Sequence, residues 1–71
     1  MTARLIDYHI ERLKNKNTNT RLDAINELKL IGDPRALEAL EQVFRTDPEL
    51  DVRKAAQEAG REIYRNTHKN S

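Results

Sequence analysis

The four residues Ile31-Gly32-Asp33-Pro34 are a stop and restart between two helical patterns. Gly32 can take the left-handed backbone that closes a helix, Asp33 can cap the helix that follows, and Pro34 suits its first position, where no amide donor is needed. One helix ends here and another begins at once. Upstream, Ala24, Ile25, Leu28 and Ile31 form one apolar stripe, so a helix is expected from near Thr20 to Ile31. Leu22 and Leu30 lie off that stripe and imply contact with a further helix or another chain. Downstream, Ala36, Leu37, Leu40, Val43 and Phe44 share the inward side, with Glu38, Glu41 and Gln42 opposite, which predicts a helix from Pro34 to about Arg45.

Two more helices flank this pair. Over Ala3 to Lys14 the apolar residues Leu5, Ile6, Ile10 and Leu13 recur at helical spacing, with Thr2 available as N-cap and His9 read as a half-buried helix residue. Asn15 to Asn19 carries no apolar group and reads as a solvated turn that Asx and hydroxyl side chains fold locally. Thr46-Asp47-Pro48-Glu49 breaks the chain again, because the residue before proline is disfavoured in helical geometry. A fourth helix is expected to begin between Pro48 and Val52, with Val52, Ala55, Ala56, Ala59 and Ile63 inward and Gly60 beside them. Such a stripe has little bulk and suits close helix axes; Gly60, which costs about 1 kcal/mol against alanine, suggests a neighbouring backbone passing near. Asn66 to Ser71 lacks apolar groups and is expected to fray.

Seventy-one residues make one small domain, which buries only about 60% of the surface its unfolded chain would expose. With 37% apolar residues, 35% charged and no tryptophan, its core must be aliphatic and alanine-based, which fits an all-α fold. The absence of cysteine excludes disulfides and cysteine zinc sites. No apolar run approaches the roughly 20 residues of a membrane span, and Met1 to Ala3 leads into an amphipathic pattern rather than a secretory signal, so a cytoplasmic protein is expected. The net charge of +1 is unevenly spread: +2 over residues 1–19, −4 over 20–51 and +3 over 52–71.

The halves of the chain repeat. A shift of 32 residues lays Thr20 on Val52, Arg21 on Arg53, Ala24 on Ala56, Leu28 on Gly60 and Ile31 on Ile63, and a shift of 31 lays Ile6 on Leu37 and Leu13 on Phe44. The stretches "DPELDVRKAAQEAG" and "IGDPRALEAL" resemble HEAT-like repeats, specifically the short variety found in the bilin lyase subunits of phycobilisome antennae and in many bacterial scaffold proteins. The resemblance covers nearly the whole chain. It implies two helical hairpins, 3–31 and 34–66, stacked as a short right-handed α-solenoid within a single domain, 1–71, with 67–71 a disordered tail. It also implies that the arginine early in each second helix is structural and pairs with a nearby acid: Arg53 with Asp47 or Asp51. Arg21, its first-hairpin counterpart, has Asn17 and Asn19 in the preceding loop instead of an aspartate. Thr20 in place of valine and Gly60 in place of leucine are the other departures.

HEAT-like arrays work mainly as surfaces for protein partners, and a solenoid usually needs about three repeats to bury its faces. This chain has two. The resemblance therefore implies a non-enzymatic interaction or scaffold module whose partner is another protein or a second copy, with Leu22, Leu30, Leu50 and Tyr64 as candidate contacts. Gly32, Asp33, Pro34 and Ala59 are expected to be structural. No histidine, aspartate and glutamate spacing matches a metal site, and neither a phosphate loop nor a nucleophile elbow is present, so no cofactor, membrane or small molecule is expected.

Two alternatives remain from the sequence. One, by resemblance, is an accessory subunit in bilin chromophore attachment or removal. The other is nucleic-acid binding through Lys54, Arg61 and Arg65, which share the outer side of the fourth helix, although Glu58 and Glu62 interrupt their field. The acidic Glu38, Glu41 and Glu49 of the third helix and that basic side could instead attract between molecules and drive salt-sensitive head-to-tail stacking.

Overall fold

A computed structural model describes residues 2–68 of the chain, and side chains from Leu5 to His68. Four α-helices follow one another: α1 (Thr2–Arg12), α2 (Thr18–Ile31), α3 (Leu37–Thr46) and α4 (Leu50–His68), with a 3₁₀ turn over Pro34–Ala36 leading into α3. No strand occurs among the described residues. Helices α1 and α2 make one antiparallel hairpin and α3 and α4 the second, and α4 also packs along α2. The shortest extent of the Cα trace is 15 Å. That is the thickness of two helix layers with axes about 10 Å apart.

The central break folds as its residues dictate. Gly32 sits at φ +73° and ψ 16°, and its N–H donates to the Leu28 carbonyl at 3.0 Å, closing α2. Asp33 Oδ1 then accepts the Arg35 N–H at 2.8 Å, and Pro34 opens the 3₁₀ turn. α2 starts two residues before its expected onset because Asn17 caps it: Asn17 Oδ1 accepts the N–H groups of Asn19 at 2.8 Å and Thr20 at 3.2 Å. An asparagine carboxamide reaches the free amides of a first turn better than the hydroxyls that follow it.

The core is aliphatic. Ile6, Leu13, Ala24, Ile25, Leu28, Ala36, Leu40, Val43, Val52, Ala56, Ala59 and Ile63 are all buried, and Ile10, Leu22, Ile31, Leu37, Ala39 and Ala55 pack against them from the edge. Four expectations need correcting. Phe44 is not inward; it stands 40% exposed, as Leu5 of the α1 stripe stands 48% exposed, each on a side of its hairpin that no other described helix covers. His9 is 6% exposed rather than half-buried, with Nδ1 3.1 Å from Arg12 Nη1. A Cβ on Gly60 would meet nothing within 4 Å, so no backbone passes close to it. Glu49 lies in the loop before α4, not on α3.

Thr67 and His68 belong to α4 rather than to a tail, and Thr67 Oγ1 donates to the Tyr64 carbonyl at 3.0 Å in the last turn. The remaining tail positions, Lys69 to Ser71, and the capping side chain of Thr2 lie outside the described residues.

Candidate interaction surface

The loops that precede α2 and α4 have the same construction. Asn15 Oδ1 accepts the N–H of Asn17 at 2.8 Å, and Asp47 Oδ1 accepts the N–H of Glu49 at 2.9 Å. Arg21 Nη1 donates to the carbonyl of Asn15 at 2.7 Å, and Arg53 Nη1 to the carbonyl of Asp47 at 2.6 Å. All three pairs of positions, 15 and 47, 17 and 49, 21 and 53, keep the shift of 32 residues, so Asn15 is the counterpart of Asp47. The expectation had looked to Asn17 and Asn19. Each arginine thus ties down the loop that precedes its own helix.

Beyond that shared bond the two arginines differ. Arg21 also reaches into the second hairpin, where its Nε donates to Asp47 Oδ2 at 2.8 Å and its Nη2 to Asp47 Oδ1 at 3.2 Å. Both side chains are under one-tenth exposed. The pair is a two-pronged fork on a carboxylate in a dry setting, a geometry that only arginine supplies. Arg53 reaches neither the Asp47 carboxylate nor Asp51; among the described residues its one hydrogen bond is to the Asp47 carbonyl, and it makes no ion pair. The acid for Arg21 was sought in its own loop, but it comes from the neighbouring hairpin, 26 residues on.

The same shifts expose an asymmetry between the two ends of the stack. On the second hairpin, Ala36, Val43, Val52, Ala59 and Ile63 are buried against the first. Their counterparts on the first hairpin are Leu5, Arg12, Thr20, Glu27 and Ile31, all exposed or half-buried, so the outward face at the N-terminal end mixes three polar residues with Leu5 and Ile31. In the other direction, the first hairpin buries Ile6, Leu13, Arg21, Ile25 and Leu28, whose counterparts are Leu37, Phe44, Arg53, Gln57 and Gly60. Leu37, Phe44, Gln57 and Gly60 line a groove of ≈ 340 Å³ between α3 and α4, with Tyr64 and Arg61 on its rim, and Arg53 lies on α4 one turn before Gln57. The first-hairpin end carries Leu5, 48% exposed, together with Arg12, Thr20 and Glu27, and the second-hairpin end carries Phe44 and Tyr64, 40% and 57% exposed, at a groove.

The candidate contact residues do not gather into one patch. Leu22 is half-buried and lines a shallow depression with Ile25, Ala55 and Ala59 between α2 and α4, so its partner is inside the molecule. Leu30 and Leu50 stand 70% and 54% exposed and line none of the grooves described. Only Tyr64 belongs to the α3/α4 groove, and its ring is stacked on His68 with centroids 4.0 Å apart. A second concavity, ≈ 550 Å³, opens between α1 and α3 over Ile10, Leu13, Ala39 and Val43, with Lys14 and Lys16 at its edge.

Some surface charges pair within their own helices. Glu41 pairs with Arg45 at 2.9 Å on α3, and Glu62 with Arg65 at 2.8 Å on α4. On α3, Glu38 makes no ion pair among the described residues. Arg35 forks onto Asp33 at 2.8 and 3.1 Å, and its hydrogen bonds hold the Asp33 carboxyl below the usual carboxylate range. Among the described residues no group of three or more histidine, aspartate or glutamate side chains stands close enough to hold a metal ion, and no helix is long and apolar enough to cross a membrane.

The family model for HEAT repeats matches residues 2–60. No curated protein and no solved structure matches the chain. HEAT repeats generally mediate protein–protein interaction or scaffolding and are typically non-catalytic. With four helices paired as two hairpins of one construction, and a family match that runs from the start of α1 into α4, the chain belongs to the HEAT-repeat family.

Proposed function

We propose that this protein is a non-catalytic interaction module that holds another protein against its second hairpin. The observation that carries this reading is the apolar groove between α3 and α4, where Phe44 and Tyr64 stand exposed. Tyr64 is proposed as a contact within that groove, with Leu30 and Leu50 as further contacts outside it. The test is the size of the native particle. In gentle extracts of the source cells the chain should elute well above its own mass of 8.3 kDa, bound to a protein in fixed proportion. Elution at its own mass at natural abundance would refute the proposal.

The narrower resemblance to bilin lyase subunits supports a second reading, an accessory role in bilin attachment or removal. It rests on "DPELDVRKAAQEAG" and "IGDPRALEAL" alone. Under that reading the complex recovered from cells carries bilin absorbance; a colourless complex counts against it. The basic side of α4 supports nucleic-acid binding less well, because Arg65 is already paired with Glu62.

A further inference from the structure

The geometry points to the α3/α4 face as a docking site for a helical partner that presents a carboxylate to Arg53. This deepens the interaction reading above and rests on it. The two hairpins provide the internal standard. Where the first hairpin meets a neighbour, Arg21 holds its own loop with Nη1 and grips the neighbour's Asp47 with Nε and Nη2. Arg53 holds its own loop in the same way, and the other two corners of its guanidinium meet no acceptor among the described residues. Asp51 and Glu49 are close in sequence, yet neither forms an ion pair with it. The fork is formed, half used and half-buried.

A groove opens one helical turn further along α4, at Ala56 and Gln57. Leu28 fills the contact between the hairpins and is fully buried, whereas its counterpart Gly60 leaves open space where a side chain would stand. Leu37, Phe44 and Ala56 supply apolar walls, and Arg61 adds a second cation at the rim. The occupant that fits places an apolar side chain over Gly60 and an acidic one at Arg53.

A second copy of this chain does not fit that description. Stacked head to tail, it would offer Asn15 in place of Asp47, a neutral carboxamide with one oxygen where the Arg21 fork takes both oxygens of a carboxylate. It would also bring Arg12, Thr20 and Glu27 where Val43, Val52 and Ala59 make the contact inside the molecule. Face-to-face pairing would set two Arg53 guanidiniums, both lacking an acid, in one interface. The partner is therefore a different polypeptide surface, apolar with an aspartate or glutamate.

The test uses the intact chain with a benzophenone side chain in place of Tyr64, irradiated in native extract, with the same probe in place of Tyr8 as the control on the first hairpin. The expected result is a protein adduct from position 64 and not from position 8, with the crosslinked partner peptide next to an acidic residue. The adduct should fall about tenfold or more in Arg53→Gln, be partly kept in Arg53→Lys, and weaken with salt. Circular dichroism and thermal melting of both variants confirm that they fold. Neutralising that partner acid should then reduce binding to the wild-type chain but not to Arg53→Gln. An adduct from position 64 that ignores Arg53→Gln, an adduct between copies of this chain, or equal adducts from positions 8 and 64 overturns this proposal while leaving an interaction module in place. No adduct from either position, with the native particle at the mass of the chain alone, removes the interaction reading itself.

Discussion

Arg21 on α2 and Asp47 in the loop before α4 form the one ion pair that joins the two hairpins among the described residues, with Nε and Nη2 set on the two carboxylate oxygens at 2.8 and 3.2 Å. The same Asp47 accepts the Glu49 N–H and, through its carbonyl, Arg53. One residue thus ends α3, shapes the following loop and locks the stack.

Replacing either partner strands the other in a dry site. Asp47→Ala and Arg21→Leu should each cost about 3 to 5 kcal/mol, a large share of the stability of so small a domain. The double variant should cost less than the two singles together. Urea unfolding of the three variants and the wild type completes the cycle; strict additivity would show that the pair is not coupled.

The two glycines should respond in opposite senses to alanine. Gly32 holds φ +73°, where a Cβ is strained, so Gly32→Ala should destabilise by roughly 1 to 2 kcal/mol. At Gly60 the added methyl meets open space within a helix, so Gly60→Ala should stabilise the free chain by up to about 1 kcal/mol. Melting temperatures report both, at about 4 to 8 °C per kcal/mol for a domain of this size. A destabilised Gly60→Ala would mean that something packs there.

Ala59 is fully buried where α4 crosses α2, beside Leu22 and Ile25. Ala59→Leu forces three more heavy atoms into that crossing and should cost about 1 to 3 kcal/mol. Ala55, on the same side but half-buried, should tolerate leucine better. Equal losses at the two positions in denaturant titrations would contradict the close crossing.

Asp33 predicts an acid-side dependence. Its carboxyl is held below the ordinary 3.8 by the Arg35 side chain and N–H, so the folded state binds its proton less tightly than the unfolded chain does. The stabilisation is present above the unfolded value and is lost as pH falls below about 3.8 through the lower folded value. Because Arg35 is exposed and Asp33 only partly covered, salt screens the pair and the effect is small. Asp33→Asn keeps a capping oxygen and should flatten stability against pH over that acid range only, read by thermal melts; an unchanged acid slope would refute the assignment.

Much of the fold was legible because its punctuation is chemical and local. Gly32, Asp33 and Pro34 do what their backbone preferences dictate, and the apolar stripe of α4 is buried at Val52, Ala56, Ala59 and Ile63 as its spacing predicts. The errors fall where periodicity says which side is apolar but not whether anything covers it. Leu5 and Phe44 sit in the right stripes and are exposed, since each lies at an outer end of a two-hairpin stack. The same limit applies to Leu30 and Leu50, whose exposure is plain but whose partners are not.

Helix count, their order, the break points and the repeat at a shift of 32 follow from residues close together along the chain, because caps, turns and amphipathic stripes are short-range effects. Which carboxylate Arg21 would hold, which apolar residues are left exposed at the ends of the stack, and that Arg53 keeps half its fork without an acceptor were decided only when the hairpins packed. Those properties belong to pairs of surfaces brought together from 26 or more residues apart, and no local pattern can specify them.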